Sequence, residues 1–235
     1  MKKLGIIGAM AIEVATLKEN MTDCVVASHA GMEFFAGKLA GLDAVVVQCG
    51  VGKVNAALCA QVLCSVYGVT HLVNTGIAGS LDARLDIGDL VVSRDAMYHD
   101  FDCQNFGSPQ GRVPGMEVTA FPASEELIRL AQEAAQTIHP GHVIVGRVAS
   151  GDQFVCGREQ KESIIAVTQG LCTEMEGAAI AHTAHRNGVP FVILRAISDK
   201  ADDSAHMDYP TFENQAAQRC AGLTMYLAEK LNQTC

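Results

Sequence analysis

The sequence predicts a layered α/β domain in which helices cover a largely buried sheet. Short β-branched runs alternate along the chain with segments whose apolar residues recur at helical spacing. Glycines are spread evenly, and no Pro/Ser-rich tract, charge block or internal repeat interrupts the 235 residues. Because the alternation continues from end to end without a linker, we expect a single domain over residues 1–235.

Apolar and β-branched runs bounded by turn residues predict the strands, two of which form a hairpin through an Ala-Gly turn. The predicted strands are 4–8, 24–29 paired with 33–39, 44–48, 72–75, 89–93, 143–150 and 191–196. Apolar residues at helical spacing predict helices at 53–67, 124–138, 175–186 and 210–231. This order of elements is the basis of the α/β prediction.

Residues that are typical of helix ends support the predicted helices. The first ends before Gly68, and Ser124 followed by two glutamates is typical of an N-cap with acidic residues in the first turn. The last helix is predicted to begin at Pro210, and its apolar stripe is interpreted as core packing. Residues 98–123 show no clear period, and a loop of this length in a compact domain is more often functional than idle.

Charge and composition exclude several classes of partner. The net charge of −9, from 17 Lys+Arg and 26 Asp+Glu, repels phosphate backbones and anionic lipid. Aromatic residues make up 5% and tryptophan is absent, which disfavours stacking platforms for single-stranded nucleic acid. No apolar run approaches the ~18–20 residues that span a bilayer. We therefore expect neither nucleic acid nor a membrane as a partner.

The first residues and the cysteines indicate where the protein is located. MKKLGIIGAMA is similar to a secretory signal, but its apolar stretch contains two glycines and leads directly to Glu13. Nine scattered cysteines without a CxxC pair indicate neither a disulfide framework nor a zinc site. His182 and His185 are interpreted as a helix-surface pair rather than metal ligands. We expect a cytoplasmic protein that binds no metal.

Three acids follow predicted strands or begin predicted helices: Glu13, Glu176 and Asp199. In α/β folds the loops at the carboxyl ends of strands converge, so this fold can bring the three acids together. Carboxyl groups in one cleft suit glycosidic chemistry, because one acid protonates the leaving group and another activates water. At neutral pH this requires burial or a nearby like charge to raise the pKa of the proton donor.

Two further motifs predict no chemistry of their own. GVGK at 50–53 resembles part of a phosphate loop, but Val47 and Val54 depart from the Walker signature. Its glycines are interpreted as permitting close strand-to-helix packing. SGD at 150–152 follows a predicted strand, yet it is not the G-x-S-x-G elbow of serine hydrolases.

Six motifs together carry a family resemblance over nearly the whole chain: GIIGAMAIEV, CGVGKVNAA, VNTGIAGSL, ASGDQFV, TEMEGAAIAH and ILRAISDKAD. In this order and spacing they resemble the bacterial 5′-methylthioadenosine/S-adenosylhomocysteine nucleosidases of the nucleoside phosphorylase and hydrolase superfamily. The resemblance implies a three-layer α/β/α sandwich with a mixed, twisted central sheet, formed by one nucleosidase domain. It also implies a homodimer, no metal and no organic cofactor.

The resemblance further implies irreversible hydrolysis of the N-glycosidic bond of methylthioadenosine, S-adenosylhomocysteine and 5′-deoxyadenosine, which releases adenine and a 5′-substituted ribose. Glu13 matches the family's water-activating base, and Asp199 matches the acid that protonates adenine N7, with Ser198 orienting it. Glu176 matches the carboxylate that holds the ribose hydroxyls, and Arg195 matches a residue that orders the site near the water.

The remaining substrate-binding positions are also carried over from the resemblance. Within one chain they are Met10, Ile77, Ala78, Gly79, Phe154, Val155, Glu174, Met175 and Tyr209. Phe154 and Val155 are expected beside adenine, Met175 against the sugar, and Met10 and Tyr209 in the 5′-thioalkyl pocket. Residues 103–114 are expected to complete the partner's pocket, through Cys103, Phe106 and Pro114.

Two residues depart from the family's usual pattern, and three different functions compete with the one implied. The family often has Ser where Ile77 stands and Phe where Tyr209 stands. A purine nucleoside phosphorylase would need cationic side chains for phosphate, yet no Arg precedes Arg84. A futalosine-type nucleoside hydrolase with a bulkier 5′ group and a non-catalytic nucleoside-binding module are the second and third competing functions.

Overall fold

The computed structural model describes residues 2–138, 142–202 and 204–233, which form a mixed sheet covered by helices. The strands are β1 Lys3–Gly8, β2 Met21–His29, β3 Met32–Leu39, β4 Leu42–Gln48, β5 His71–Ser80, β6 Leu90–Tyr98, β7 Phe121–Pro122, β8 Val143–Ser150, β9 Cys172–Glu174 and β10 Phe191–Asp199. The helices are α1 Ala11–Glu19, α2 Lys53–Ser65, α3 Glu125–Ile138, α4 Arg158–Thr168, α5 Gly177–Asn187 and α6 Ala205–Gln233.

The sheet topology brings several strand ends to one edge. Strands β4, β1, β5 and β10 run parallel in this order, so their carboxyl ends lie together. Strand β10 also pairs antiparallel with β6, and the pairs β6–β8, β8–β9 and β9–β5 close these strands into a ring of five. Since Thr173 of β9 lies opposite Gly79 near the end of β5, the segment after β9 reaches the same edge.

Helices cover both faces of the sheet, as alternate strand residues show. In β4, Val45 and Val47 belong to a core cluster with residues of α2 and α5. Ala44 and Val46 point the other way, into a cluster with residues of α1, α3 and α6. The predicted three-layer α/β/α sandwich with a mixed central sheet is therefore confirmed. Within the described ranges, no helix has the length and apolar content that crossing a bilayer requires.

Most predicted elements are present, with differences at their ends. Strand β8 has the predicted bounds, whereas β5, β6 and β10 continue well past theirs because their polar or glycine-rich ends remain paired in the sheet. Helices α1 and α4 and strand β9 were not predicted. Between 98 and 123 the chain has only a 3-10 turn at Gln104–Phe106 and the short β7.

The predicted start of the last helix is wrong. Helix α6 begins at Ala205, and Pro210 lies inside it rather than at its first residue. Pro210 lies just past the first four N–H groups, which have no intrahelical acceptor, so it removes one backbone hydrogen bond and crowds one carbonyl of the first turn without ending the helix. The position of a proline near a helix start therefore does not fix the first residue of that helix.

We expect Phe34→Ala to lower the free energy of unfolding by about 3–5 kcal/mol, because it leaves a cavity in the core. Phe34 is fully buried in β3, and its ring stacks on that of Tyr67 with centroids 5.2 Å apart. Urea denaturation followed by far-UV circular dichroism measures the change. The control Val25→Ala, at a side chain 69% exposed on β2, should change stability by less than about 0.5 kcal/mol. Equal losses in both variants would contradict the assigned burial.

Candidate active site

An open pocket, with about 570 Å³ of empty space when the solvent at its mouth is included, forms a cavity at the edge of the sheet where β1, β5 and β10 end. Glu13, Glu176 and Asp199 all line it, and they come from the start of α1, the β9–α5 junction and the end of β10. Each of these acids is buried, with 3–6% of its surface exposed. Three acids that are distant in the sequence therefore meet around one space large enough for a nucleoside.

Most of the expected substrate-binding residues line the same cavity. They are Met10, Ile77, Ala78, Gly79, Phe154, Val155, Glu174, Met175, Ser198 and Tyr209. Four further lining residues were not predicted: Ala9, Val51, Gln153 and Thr173. Each of these four belongs to one of the motifs that carried the resemblance, so membership of those motifs was the signal that could have found them.

Residues 103–114 do not reach the cavity of their own chain. Phe106 is 88% exposed, Pro114 is exposed and Cys103 is half-buried, and none of the three is among the lining residues. Their expected role in a partner's pocket stays a prediction.

The carboxylate of Glu13 is held by backbone donors at the start of α1. Its Oε2 accepts hydrogen bonds from the N–H groups of Ala9 at 2.7 Å and Met10 at 2.9 Å, and its Oε1 accepts one from Ile77 at 3.1 Å. Burial raises the pKa of Glu13, and the charge of Arg195 and these hydrogen bonds only partly offset it. The result is a fixed carboxylate with more affinity for a proton than an exposed one.

Asp199 is directed into the cavity by an irregularity in β10. The register between β10 and β5 shifts between Ile197 and Asp199, which turns this strand end. The Ser198 hydroxyl donates to Asp199 Oδ2 at 2.8 Å, and the Ala201 N–H donates to Oδ1 at 2.8 Å. Burial raises the pKa of Asp199 despite these two bonds, and the negative charge of Asp208 raises it further.

Two glycines of β5 make room for these acids. A Cβ at Gly76 would overlap the carboxylate of Glu13, and a Cβ at Gly79 would lie 2.7 Å from Asp199 Oδ1. Only glycine allows side chains to approach the backbone this closely. The NTGIAG segment is therefore needed for the geometry of both acids.

Glu176 differs from the other acids in having few donors. Its Oε1 accepts a hydrogen bond from the Gly52 N–H at 2.8 Å. Burial raises the pKa of Glu176 to about 8, and the neighbouring carboxylate of Glu174 adds to the effect. Removing the proton of Glu176 therefore places a second negative charge next to that of Glu174, on the wall of the cavity.

Glu174 and Arg195 form a buried ion pair behind this surface. The carboxylate of Glu174 also accepts hydrogen bonds from the Ser150 hydroxyl and from the Gly177 N–H at 2.8 Å. Arg195 donates to Asn74 Oδ1 at 2.5 Å and does not line the cavity. Glu174 thus lines the cavity with both carboxylate oxygens already accepting hydrogen bonds, and Arg195 acts on the site from behind.

One end of the cavity is apolar and polarisable. The Tyr209 hydroxyl donates to Met10 Sδ at 3.0 Å, and the ring of Tyr209 meets the half-exposed ring of Phe154 edge-on with centroids 5.7 Å apart. Sulfur and aromatic surfaces of this kind suit a thioether group.

We expect Glu176→Gln to raise the melting temperature at pH 8 and to have much less effect near pH 5. Because the pKa of Glu176 is about 8 in the fold and ordinarily 4.5, the folded state keeps a proton that the unfolded chain releases. Wild-type stability therefore falls as the pH rises between these values, and glutamine removes that loss. One pKa unit corresponds to about 1.4 kcal/mol, and in a protein of this size to about 3–6 °C, so the gain should be several degrees.

Melting curves at pH 5 and pH 8 measure this difference. The matched control is Glu162→Gln on the exposed side of α4, which should show no pH-dependent gain. If the gain from Glu176→Gln were the same at both pH values, the raised pKa would be contradicted.

Comparison with known proteins places the chain in a family. The phosphorylase superfamily matches residues 3–229. The chain is 40% identical to the 5′-methylthioadenosine/S-adenosylhomocysteine nucleosidase of Treponema pallidum (strain Nichols), over 97% of this chain and 93% of that protein. A futalosine hydrolase structure from Helicobacter pylori is 33% identical and has a TM-score of 0.93, covering 97% of this chain and 98% of the other.

The crystal structure of a Neisseria meningitidis 5′-methylthioadenosine/S-adenosylhomocysteine nucleosidase in complex with methylthio-immucillin-A has a TM-score of 0.95. It is 35% identical in sequence, and the match covers 98% of this chain and 100% of that one. The chain therefore belongs to the phosphorylase superfamily and, within it, to the family of 5′-methylthioadenosine/S-adenosylhomocysteine nucleosidases.

Proposed function

We propose that this protein hydrolyses the N-glycosidic bond of 5′-methylthioadenosine and S-adenosylhomocysteine, and also of 5′-deoxyadenosine, releasing adenine and a 5′-substituted ribose. The observation that carries the proposal is that three buried carboxyl groups surround one nucleoside-sized cavity. The name of the Treponema pallidum relative and the methylthio-immucillin-A bound to the Neisseria meningitidis enzyme support the choice of substrate.

Asp199 is the proton donor to adenine N7. Adenine is a poor leaving group until N7 is protonated, so the reaction needs an acid that still holds its proton near neutral pH. Burial raises the pKa of Asp199 in this direction. The Ser198 hydroxyl, 2.8 Å from Oδ2, orients the carboxyl group towards the base.

Glu13 is the base that activates water. Its three backbone donors fix the carboxylate in one orientation, and burial raises its pKa, which strengthens it as a proton acceptor. The Ile77 N–H supplies one of these bonds, so this contact does not depend on a serine side chain at that position. A water held beside Glu13 loses a proton to it while the oxygen attacks the anomeric carbon.

Glu176 binds the ribose hydroxyls; its pKa of about 8 keeps it largely protonated in the empty site at neutral pH, and the positive charge that develops on the sugar favours its ionised form. As the glycosidic bond lengthens, positive charge develops on the ribose ring, and a carboxylate in a site of low dielectric constant stabilises that charge. Met175 lies beside it on the cavity wall and packs against the sugar. Phe154 and Val155 contact the base, and Met10 with Tyr209 takes the 5′-thioalkyl group.

The cavity favours hydrolysis over phosphorolysis. Among the described residues that line it, none is a lysine, an arginine or a histidine. Phosphate would need such cationic partners, and the nearby guanidinium of Arg195 is already paired with Glu174. Glu13 in the first strand–helix turn would repel a phosphate dianion.

A futalosine-type substrate is the second candidate, favoured by the likeness to the futalosine hydrolase of Helicobacter pylori. Such a nucleoside carries a bulkier group at the 5′ position than methylthioadenosine. The wall formed by Met10, Phe154 and Tyr209 is therefore the part of the cavity that discriminates between these 5′ groups.

We also propose a homodimer, which the resemblance implies, and a cytoplasmic location, which the cysteine content indicates. A homodimer in which residues 103–114 complete the partner's pocket would cover Phe106, a large apolar side chain that is 88% exposed in the single chain. Sedimentation velocity tests the dimer. The described cysteines are all free thiols, which supports the proposed cytoplasmic location.

We expect Glu13→Gln to lower kcat by about 10²–10⁴-fold, since glutamine keeps the shape of the side chain but cannot accept the proton of water. The Kd for 5′-methylthioadenosine should stay within a few-fold of the wild-type value. Initial rates of adenine release and calorimetric binding measure the two quantities. Survival of most of the activity would exclude Glu13 as the base.

We expect adenine release from 5′-methylthioadenosine, S-adenosylhomocysteine and 5′-deoxyadenosine without inorganic phosphate, at a rate that added phosphate does not increase. Futalosine in the same panel should react much more slowly. Strict dependence on phosphate would indicate a phosphorylase, and binding without release of any base would indicate a nucleoside-binding module. Preferred release of the base from futalosine would favour the second candidate.

A further inference from the structure

The GVGK and SGD segments, which predicted no chemistry of their own, meet beside the cavity. We propose that Lys53, Asp100 and Asp152 are positioning residues that hold the Gly52 N–H against Glu176, and so set the carboxylate that binds ribose. The inference deepens the proposed function and rests on it. None of the three charged residues lines the cavity, so they act through the backbone of Gly52.

The three charged residues join the loops that follow β4, β6 and β8. The ammonium of Lys53 lies 2.6 Å from Asp100 Oδ2 and 3.7 Å from Asp152 Oδ2. The Lys53 N–H donates to Asp152 Oδ1 at 2.8 Å, and the Asp152 N–H donates to Asp100 Oδ2 at 2.9 Å. The peptide that carries the Gly52 N–H is therefore anchored at the next residue, through both side chain and backbone.

Glycine is required at two places in this junction. Gly52 has φ +99°, a conformation that favours glycine, and a Cβ there would lie 3.2 Å from Asp152 Oδ1. A Cβ at Gly151 would overlap the ring of His99 and lie 2.9 Å from Asp100 Cγ. The two motifs thus allow the loops to approach closely enough for the Gly52 N–H to reach Glu176 Oε1 at 2.8 Å.

The ion pair between Lys53 and Asp100 is partly buried, and this burial restricts where the two side chains can lie. The side chains of Lys53 and Asp100 are 22% and 15% exposed, and Asp100 Oδ1 is buried with no hydrogen-bond partner among the described residues. The charge of Asp100 therefore depends on Lys53 for compensation, and a partly buried carboxylate left without its cation is unfavourable. This dependence fixes Lys53, and with it the first residue of α2.

The test compares Lys53→Met with Lys53→Arg. We expect Lys53→Met to lower kcat/KM for 5′-methylthioadenosine by about 10- to 100-fold, the size of effect that a small misplacement of a binding group produces. Lys53→Arg keeps the positive charge and should recover most of the loss. The matched control is Lys38→Met, which breaks the ion pair of Lys38 with Asp43 on β3 and β4 and should leave kcat/KM unchanged.

A double-mutant cycle decides whether Lys53 acts through Glu176. In the Glu176→Gln background, Lys53→Met should lower kcat/KM by less than about threefold, because coupled residues have non-additive effects. In the Glu13→Gln background, Lys53→Met should weaken binding of 5′-methylthioadenosine about tenfold and leave the affinity for adenine, which lacks ribose, within about threefold. A merely structural role would weaken both ligands and would be additive with Glu176→Gln.

A milder variant keeps the inference testable if Lys53→Met does not fold. Asp152→Ala changes a side chain that is 49% exposed and removes the acceptor of the Lys53 N–H. It should show the same coupling to Glu176, with unchanged far-UV circular dichroism. If the wild-type protein is active but the effects of Asp152→Ala and Glu176→Gln are additive, the inference about the positioning residues is wrong and the proposed function is unaffected. Failure of the wild-type protein to release adenine from any nucleoside overturns the proposed function.

Discussion

The guanidinium of Arg195 is the charge on which the buried acids depend. It is 2% exposed, pairs with Glu174 and is held by Asn74. Burial raises the pKa values of Glu13 and Glu176, and the positive charge of Arg195 partly offsets the effect at both. Without this cation, the carboxyl groups of Glu13, Glu174 and Glu176 would share a site of low dielectric constant, at a cost of several kcal/mol for each charge. Each acid has different hydrogen-bond donors, so the acids differ in their affinity for a proton. This difference allows one acid to donate a proton and another to accept one.

Much of the fold was predictable because most strands and helices bury a regular apolar pattern. Strands β4 and β8 show this. Helix α1 was missed because one of its buried residues is Glu13, and α4 because it buries only Ile164 and Thr168. Strand β5 was predicted too short, since its NTGIAG end has the composition of a loop and yet is buried within the sheet.

The candidate site was predictable where the chemistry lies in side chains. Glu13, Glu176 and Asp199 follow strands or begin helices, and motif similarity located the residues around them. The donors that orient these acids are largely backbone N–H groups, such as that of Gly52, which every residue except proline has. Sequence alone therefore names the acids but does not show which donors hold them, or that Arg195 acts from behind the cavity wall.

The closed ring of strands has a consequence for how this architecture diversifies. Because β10 is bonded to β6 as far as Ala196 and to β5 as far as Asp199, a shift of this strand would break both ladders. Changes near Tyr209, which lines the cavity at the start of α6, leave those ladders intact. Substitutions at such positions can thus change which 5′ group is accepted, while the acids that act on the glycosidic bond keep their positions. Substrate range in such a scaffold is a property of its periphery.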